Sequence, residues 1–108
     1  MLACVLGLAA CSSYKGPLSC VSHLGIDGTI TMIDVTETVQ KEIVTALNSG
    51  EWTNDVTNCG HDYEFTIQSQ TIRYHSECGT FIDITNGRSL SLSETSETVI
   101  NELLGANH

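Results

Sequence analysis

The stretch Asp62-Tyr63-Glu64-Phe65-Thr66-Ile67, then Gln68-Ser69, then Thr71-Ile72-Arg73-Tyr74-His75-Ser76 decides the fold. Both runs alternate apolar and polar residues, the period of a strand with one face buried. Folding the chain back at Gln68-Ser69 sets Phe65 opposite Ile72 and Tyr63 opposite Tyr74 on one face. Glu64 then meets Arg73, and Thr66 meets Thr71, on the other. Partners sort by polarity only in this register, because a slip of one residue would turn the whole apolar set toward water. Tyr63, Phe65 and Tyr74 are therefore read as core residues, and the same arithmetic carried outward sets Cys59 opposite Cys78.

A second hairpin follows. Phe81-Ile82-Asp83-Ile84 and Ser89-Leu90-Ser91-Leu92 flank Thr85-Asn86-Gly87, and a three-residue loop with Gly87 left-handed would align Ile82 with Leu90. On the N-terminal side, two strands around Asp27-Gly28 are expected within 18–34. Helix 37–48 comes next, with Thr36 as N-cap, Glu37 at the positive end of the dipole, and Val39, Ile43, Ala46 and Leu47 on one face. Asn48-Ser49-Gly50 supplies the stop, with Trp52 packed where the helix ends. Ser93 and Glu94 open a last helix whose Val99, Ile100, Leu103 and Leu104 form a stripe ended by Gly105. The stretch from Thr36 to Val44 echoes that from Ser96 to Leu104, as duplicated strand-then-helix units would. The expected fold is α+β: a mostly antiparallel sheet, built as hairpin, helix, four-stranded meander and helix, with both helices on one face.

With 108 residues there is room for one domain. Thirteen acidic against four basic residues give a net charge of −9, so nucleic acid, whose phosphates need clustered Lys and Arg, is not an expected partner. A basic envelope or extracellular protein is the partner such a surface would attract.

The first ten residues carry no charge and are almost all apolar or small. They are too few to span a bilayer, which takes about 20 residues, and they suit the apolar part of a secretion signal. Leu8-Ala9-Ala10-Cys11 closes this run and resembles the lipobox of bacterial lipoproteins. The resemblance covers these four residues; the remainder matches no characterised family pattern. It implies cleavage before Cys11, acylation of the Cys11 sulfur, and anchoring on the extracytoplasmic side of a bacterial membrane. Residues 1–10 would then be the signal, 11–17 the lipidated cysteine with a short tether of linker composition, and 18–108 the domain. Such a tether reaches about 20 Å at most, at roughly 3.5 Å per residue.

An oxidising envelope makes Cys59–Cys78 an expected disulfide, with α-carbons about 5.5 Å apart and a stabilisation of about 3 kcal/mol for a loop of this length. Two alternatives use the same end of the hairpin. Cys59, His61, His75 and Cys78 form a chemically sensible zinc set, although strict alternation puts His61 and His75 on opposite faces. Cys78 activated by His75 or His61 would be a nucleophile, provided its thiol is free. Cys20 is expected to be a small buried residue, or else an alternative partner for Cys59 or Cys78. His23 and His108 are read as solvated or hydrogen-bonded.

Metalloprotease helices, phosphate-binding glycine loops, serine-nucleophile elbows and dinucleotide fingerprints have no counterpart in the sequence. The reading that follows is non-enzymatic and without a cofactor: a tethered envelope domain acting as a binding protein, inhibitor or accessory subunit. A metal-binding or redox lipoprotein using the Cys/His cluster is the first alternative, and a structural envelope component the second.

Overall fold

The two alternating runs at the centre of the chain become strands β3 (Tyr63–Ile67) and β4 (Gln70–His75) of a computed structural model, which describes residues 14–55 and 60–105. Tyr63, Phe65 and Ile67 are buried while Glu64 and Thr66 are half-exposed. The register is the expected one, with Tyr63 opposite Tyr74, Glu64 opposite Arg73, Phe65 opposite Ile72 and Thr66 opposite Thr71. Gln68 and Ser69 turn the chain with φ of 50° and 68°. That mirror-image turn matches the twist of the strands it joins, at the cost of two side chains in the left-handed region.

The fold is α+β. Strands β1 (Ser19–Leu24), β2 (Ile30–Met32), β5 (Thr80–Asp83) and β6 (Arg88–Ser91) complete a six-stranded antiparallel sheet in the order β2-β1-β3-β4-β5-β6. The first hairpin joins the meander through β1 against β3, a long-range pairing. Helices α1 (Glu37–Ser49) and α2 (Glu94–Leu104) touch each other. Val39, Ile43, Ala46, Leu47 and Ile100 on the helices pack with Phe65, Ile72, Tyr74, Phe81 and Leu90 of the sheet into one core.

The helix starts follow capping chemistry. Thr36 Oγ1 accepts from the Val39 N–H at 3.2 Å and Ser93 Oγ from the Ser96 N–H at 3.2 Å. Ser96 thus lies inside the first turn of α2, so the echo between the two helical segments does not set one cap over the other. Gly105 closes α2 in the left-handed conformation, φ 78°. Gly50 ends α1 differently: its backbone is extended, and a Cβ there would come within 2.1 Å of Leu90 Cδ1. Trp52 donates its indole N–H to the Leu47 carbonyl at 2.9 Å, just past the helix as expected.

Four expectations are corrected. In the second hairpin Phe81, not Ile82, pairs with Leu90, and Ile82 lies opposite Ser89 across a four-residue loop, 84–87. Asp83 sets this register: its carboxylate accepts from the Asn86 N–H at 3.0 Å and amide at 2.8 Å, and its carbonyl accepts from the Gly87 N–H. The shift puts Phe81 into the core, with its ring 4.6 Å from Tyr74 and edge-on to Phe65 at 6.2 Å. Cys20 is exposed rather than buried, because a bulge in β1 leaves it at φ 54° and turns it outward. The stripe on α2 is only part-buried, since Val99 and Leu103 remain 38% and 36% exposed beside buried Ile100. Tyr14, read as tether, is 2% exposed and belongs to the core.

Candidate functional site

Two ends and one edge of the sheet carry the polar chemistry. At the end where β4 leaves the sheet, Asp62 accepts from the Ser76 N–H at 2.9 Å and from the Ser76 hydroxyl. Tyr74 donates its hydroxyl to Asn101 Oδ1 at 2.6 Å, and the Asn101 amide donates to the Ser76 carbonyl at 3.0 Å, which ties α2 to this loop. Burial first, then the nearby carboxylates of Glu97 and Asp62, push the Tyr74 phenol well above its usual range. His75 is 2% exposed. Its imidazole is held below the ordinary value, first by desolvation and then by His61, against an opposing pull from Asp62.

This end also carries His61, His75 and Cys78 of the proposed Cys/His set. The rings of His61 and His75 are 6.1 Å apart, which corrects their assignment to opposite faces: His61 precedes β3, where strict alternation does not yet hold. Cys78 is disulfide-bonded and Cys20 is a free thiol. A Cys78 in that state is neither a nucleophile nor a thiolate ligand. Cys59, Cys11 and His108 lie outside the described residues. Among the described residues no three His, Cys, Asp or Glu side chains gather into a set able to hold a metal ion. His23 is half-buried, with its ring 4.8 Å from that of Tyr63.

The opposite end is built round Asp83, which is fully buried. Tyr14 donates its hydroxyl to Asp83 Oδ2 at 2.7 Å and accepts from Arg88. The Arg88 guanidinium stands 3.7 Å from Asp83 and lies over the rings of Trp52, at 4.9 Å, and Tyr14, at 5.8 Å. Burial, and next the hydrogen bond to Asp83, push the Tyr14 phenol up to about 12. The backbone of Tyr14 is held as well: its N–H donates to Asn48 Oδ1 at 2.7 Å and its carbonyl accepts from the Asn48 amide at 2.8 Å. Sequence reading missed this cluster. Tyr14 sits among linker-like residues, and the only available signal was an aromatic side chain in a Ser, Gly and Pro context.

The edge is the β1–β2 hairpin. Ile26 at its tip is fully exposed, and Ile30 and Met32 of β2 are 68% and 65% exposed. β2 is the outermost strand and pairs only with β1 among the described residues. Leu24 and Ile30 also line a shallow cleft of about 240 Å³, with His61, Asp62, Glu64 and Arg73 along its far wall. Arg73 Nε and Glu64 Oε1 meet there at 2.9 Å, half-exposed, a pair that contributes at most about 1 kcal/mol. Asp27 and Asp34 flank the hairpin, both exposed.

No protein-family model, curated protein or solved structure matches the chain. Among the described residues no helix is long and apolar enough to cross a membrane.

Proposed function

We propose that this chain is an envelope lipoprotein, tethered through Cys11 on the extracytoplasmic side, whose domain works by binding a basic protein along the β1–β2 hairpin rather than by catalysis. The observation that carries the binding reading is the hairpin itself, which places Ile26 of the turn and Ile30 and Met32 of the outermost strand in water. Edge strands are blunted by shortness, Lys, Pro or a covering loop, and of these β2 has only its shortness. Here Ile-Thr-Met is exposed and among the described residues pairs only with β1, a template on which a partner strand can add main-chain hydrogen bonds while its side chains meet Ile30 and Met32. Asp27 and Asp34 beside it, in a chain of net charge −9, favour a cationic partner.

The address rests on the apolar run ending in Leu8-Ala9-Ala10-Cys11. We assign the partner of Cys78 as Cys59, because the β3–β4 register carried outward sets the two opposite each other and Cys20 is a free thiol. Such a bond makes the loop end of the meander rigid, which suits a binding domain that must not reorganise on contact.

The test is site-specific photo-crosslinking from Thr31 in intact envelopes, compared with an Ile30→Asp/Met32→Asp double variant. The expected result is a discrete adduct with a basic protein, weakened at high salt and lost in the double variant, whose thermal midpoint stays unchanged. An adduct that survives the double substitution, or the absence of any protein adduct at Thr31, would overturn the reading.

A further inference from the structure

The lipid tether and the Tyr14 cluster together fix which way the domain faces. We infer that the end of the sheet formed by the turns at 68–69 and 84–87 lies against the phospholipid headgroups, and that the β1–β2 turn is held on the far side; this rests on the proposed acylation of Cys11.

Only Ser12 and Ser13 separate Cys11 from Tyr14, so their α-carbons are at most about 11 Å apart at roughly 3.6 Å per residue. Tyr14 is not free to swing. Its backbone makes two hydrogen bonds with Asn48, its hydroxyl is gripped by Asp83 and Arg88, and its ring stands 5.4 Å from Trp52. The next residue donates its N–H to Gln68 Oε1 at 2.8 Å, fixing the chain to the β3–β4 turn. The β5–β6 loop belongs to the same end, since Ile84 N–H donates to the Thr71 carbonyl and Thr71 N–H to Thr85 Oγ1, both at 2.9 Å. A six-residue strand such as β4 separates this end from the other by about 20 Å. The β1–β2 turn lies at that other end, because His23 pairs with Tyr63 while Ser19 pairs with Thr66.

Both signs of charge occur at the tether end, where Glu51 and Asp55 are exposed near Trp52 and Ser89 and Asp83 pairs with Arg88, whereas the far end is acidic. Of the four basic residues, Lys15 and Arg88 lie at the tether end, Lys41 lines a groove on α1 with Gly16 and Pro17, and Arg73 is paired with Glu64. The far end carries Asp27, Asp62 and Glu77, together with Glu94, Glu97 and Glu102 of α2. Anionic headgroups repel this acidic far end and attract Lys15, exposed beside the tether. Ile84, 45% exposed in the loop at the tether end, is placed to rest at the headgroup boundary. The exposed hairpin tip then points away from lipid, which leaves a protein as its partner.

The experiment uses the full chain carrying its native anchor in a Cys20→Ser background, reconstituted in anionic phospholipid vesicles doped with a headgroup nitroxide lipid. A fluorophore is placed on Ser69→Cys or on Ile26→Cys, and intact mass records the adduct at Cys11 in the same samples. The expected result is several-fold stronger quenching at position 69 than at position 26, with the contrast collapsing when a ten-residue Gly-Ser segment is inserted before Tyr14. Equal or reversed quenching in a protein that carries the adduct would overturn the orientation and leave the tether standing. Absence of the adduct would remove the tether and the orientation with it. A contrast that survives the insertion would show that the clamp on Tyr14 is not what orients the domain.

Discussion

Asp83 and Asp62 sit at opposite ends of the meander, and each gathers a distant piece of chain onto the sheet. Asp83 is fully buried, with a cation close by and a phenol donating to it, and through Tyr14 it holds the N-terminal segment. Asp62 is half-exposed, and its carboxylate accepts from the N–H and the hydroxyl of Ser76; the loop it orders then receives Asn101 of α2. The difference lies in how charge leaves water. A carboxylate without access to solvent needs a counter-charge as well as donors, whereas a half-wet one is held by donors alone. The N-terminal clamp is accordingly the more demanding construction, and breaking it should cost more.

That ordering can be broken by experiment. Asp83→Ala leaves Arg88 half-buried without its carboxylate and releases the Tyr14 hydroxyl, so urea unfolding should show a loss of about 3–5 kcal/mol. A loss below that of the Asp62 variant would invert the comparison. Asp62→Ala removes two charge-assisted hydrogen bonds at a wetter site, and the same titration should show about 1.5–3 kcal/mol. The smallest expected effect is pH-linked. His75 has a folded-state pKa below the free value of 6.5, so below that pH the unfolded chain takes up a proton that the native ring resists. Stability should be level above about pH 6.5 and decline on acidification below it, until the native ring itself protonates. In His75→Gln this part of the decline should vanish, as urea midpoints at pH 7.5 and pH 5 would show; a His75→Gln profile parallel to the parent would mean that the ring is not the group responsible.

The two hairpins of the meander show where sequence reading succeeds and why it stops. In β3–β4 every facing pair agrees in polarity, so local pattern and tertiary burial give one answer. In β5–β6 the run Phe81-Ile82-Asp83-Ile84 offers apolar residues on both faces. Asp83 sets the register through Asn86 and Gly87, and it also holds Tyr14, 69 residues away in sequence, an interaction that no local pattern encodes. Cys20 and the His61–His75 pair were misplaced for a related reason: both lie where the strand departs from regular alternation, at a bulge and before the start of β3. Of the candidate site residues, His61 and His75 were recognisable as neighbours of one strand end, though not as lying ring to ring. Tyr14 and Asp83 were not, because each is ordinary alone and becomes a clamp only in company.

What the sequence by itself determined is the set of local choices: the Gln68-Ser69 turn, the Thr36 and Ser93 caps, the Gly105 stop and the face each central strand buries. Their causes act over a few residues, through the strand period, φ preferences and capping hydrogen bonds. Only the tertiary structure decided the pairing of β1 with β3, the exposed outer strand at Ile30–Met32, and the capture of Tyr14 by Asp83, Arg88 and Asn48. Each of these brings together groups that are 34 or more residues apart or leaves side chains exposed, and so depends on which surfaces meet once the core has closed.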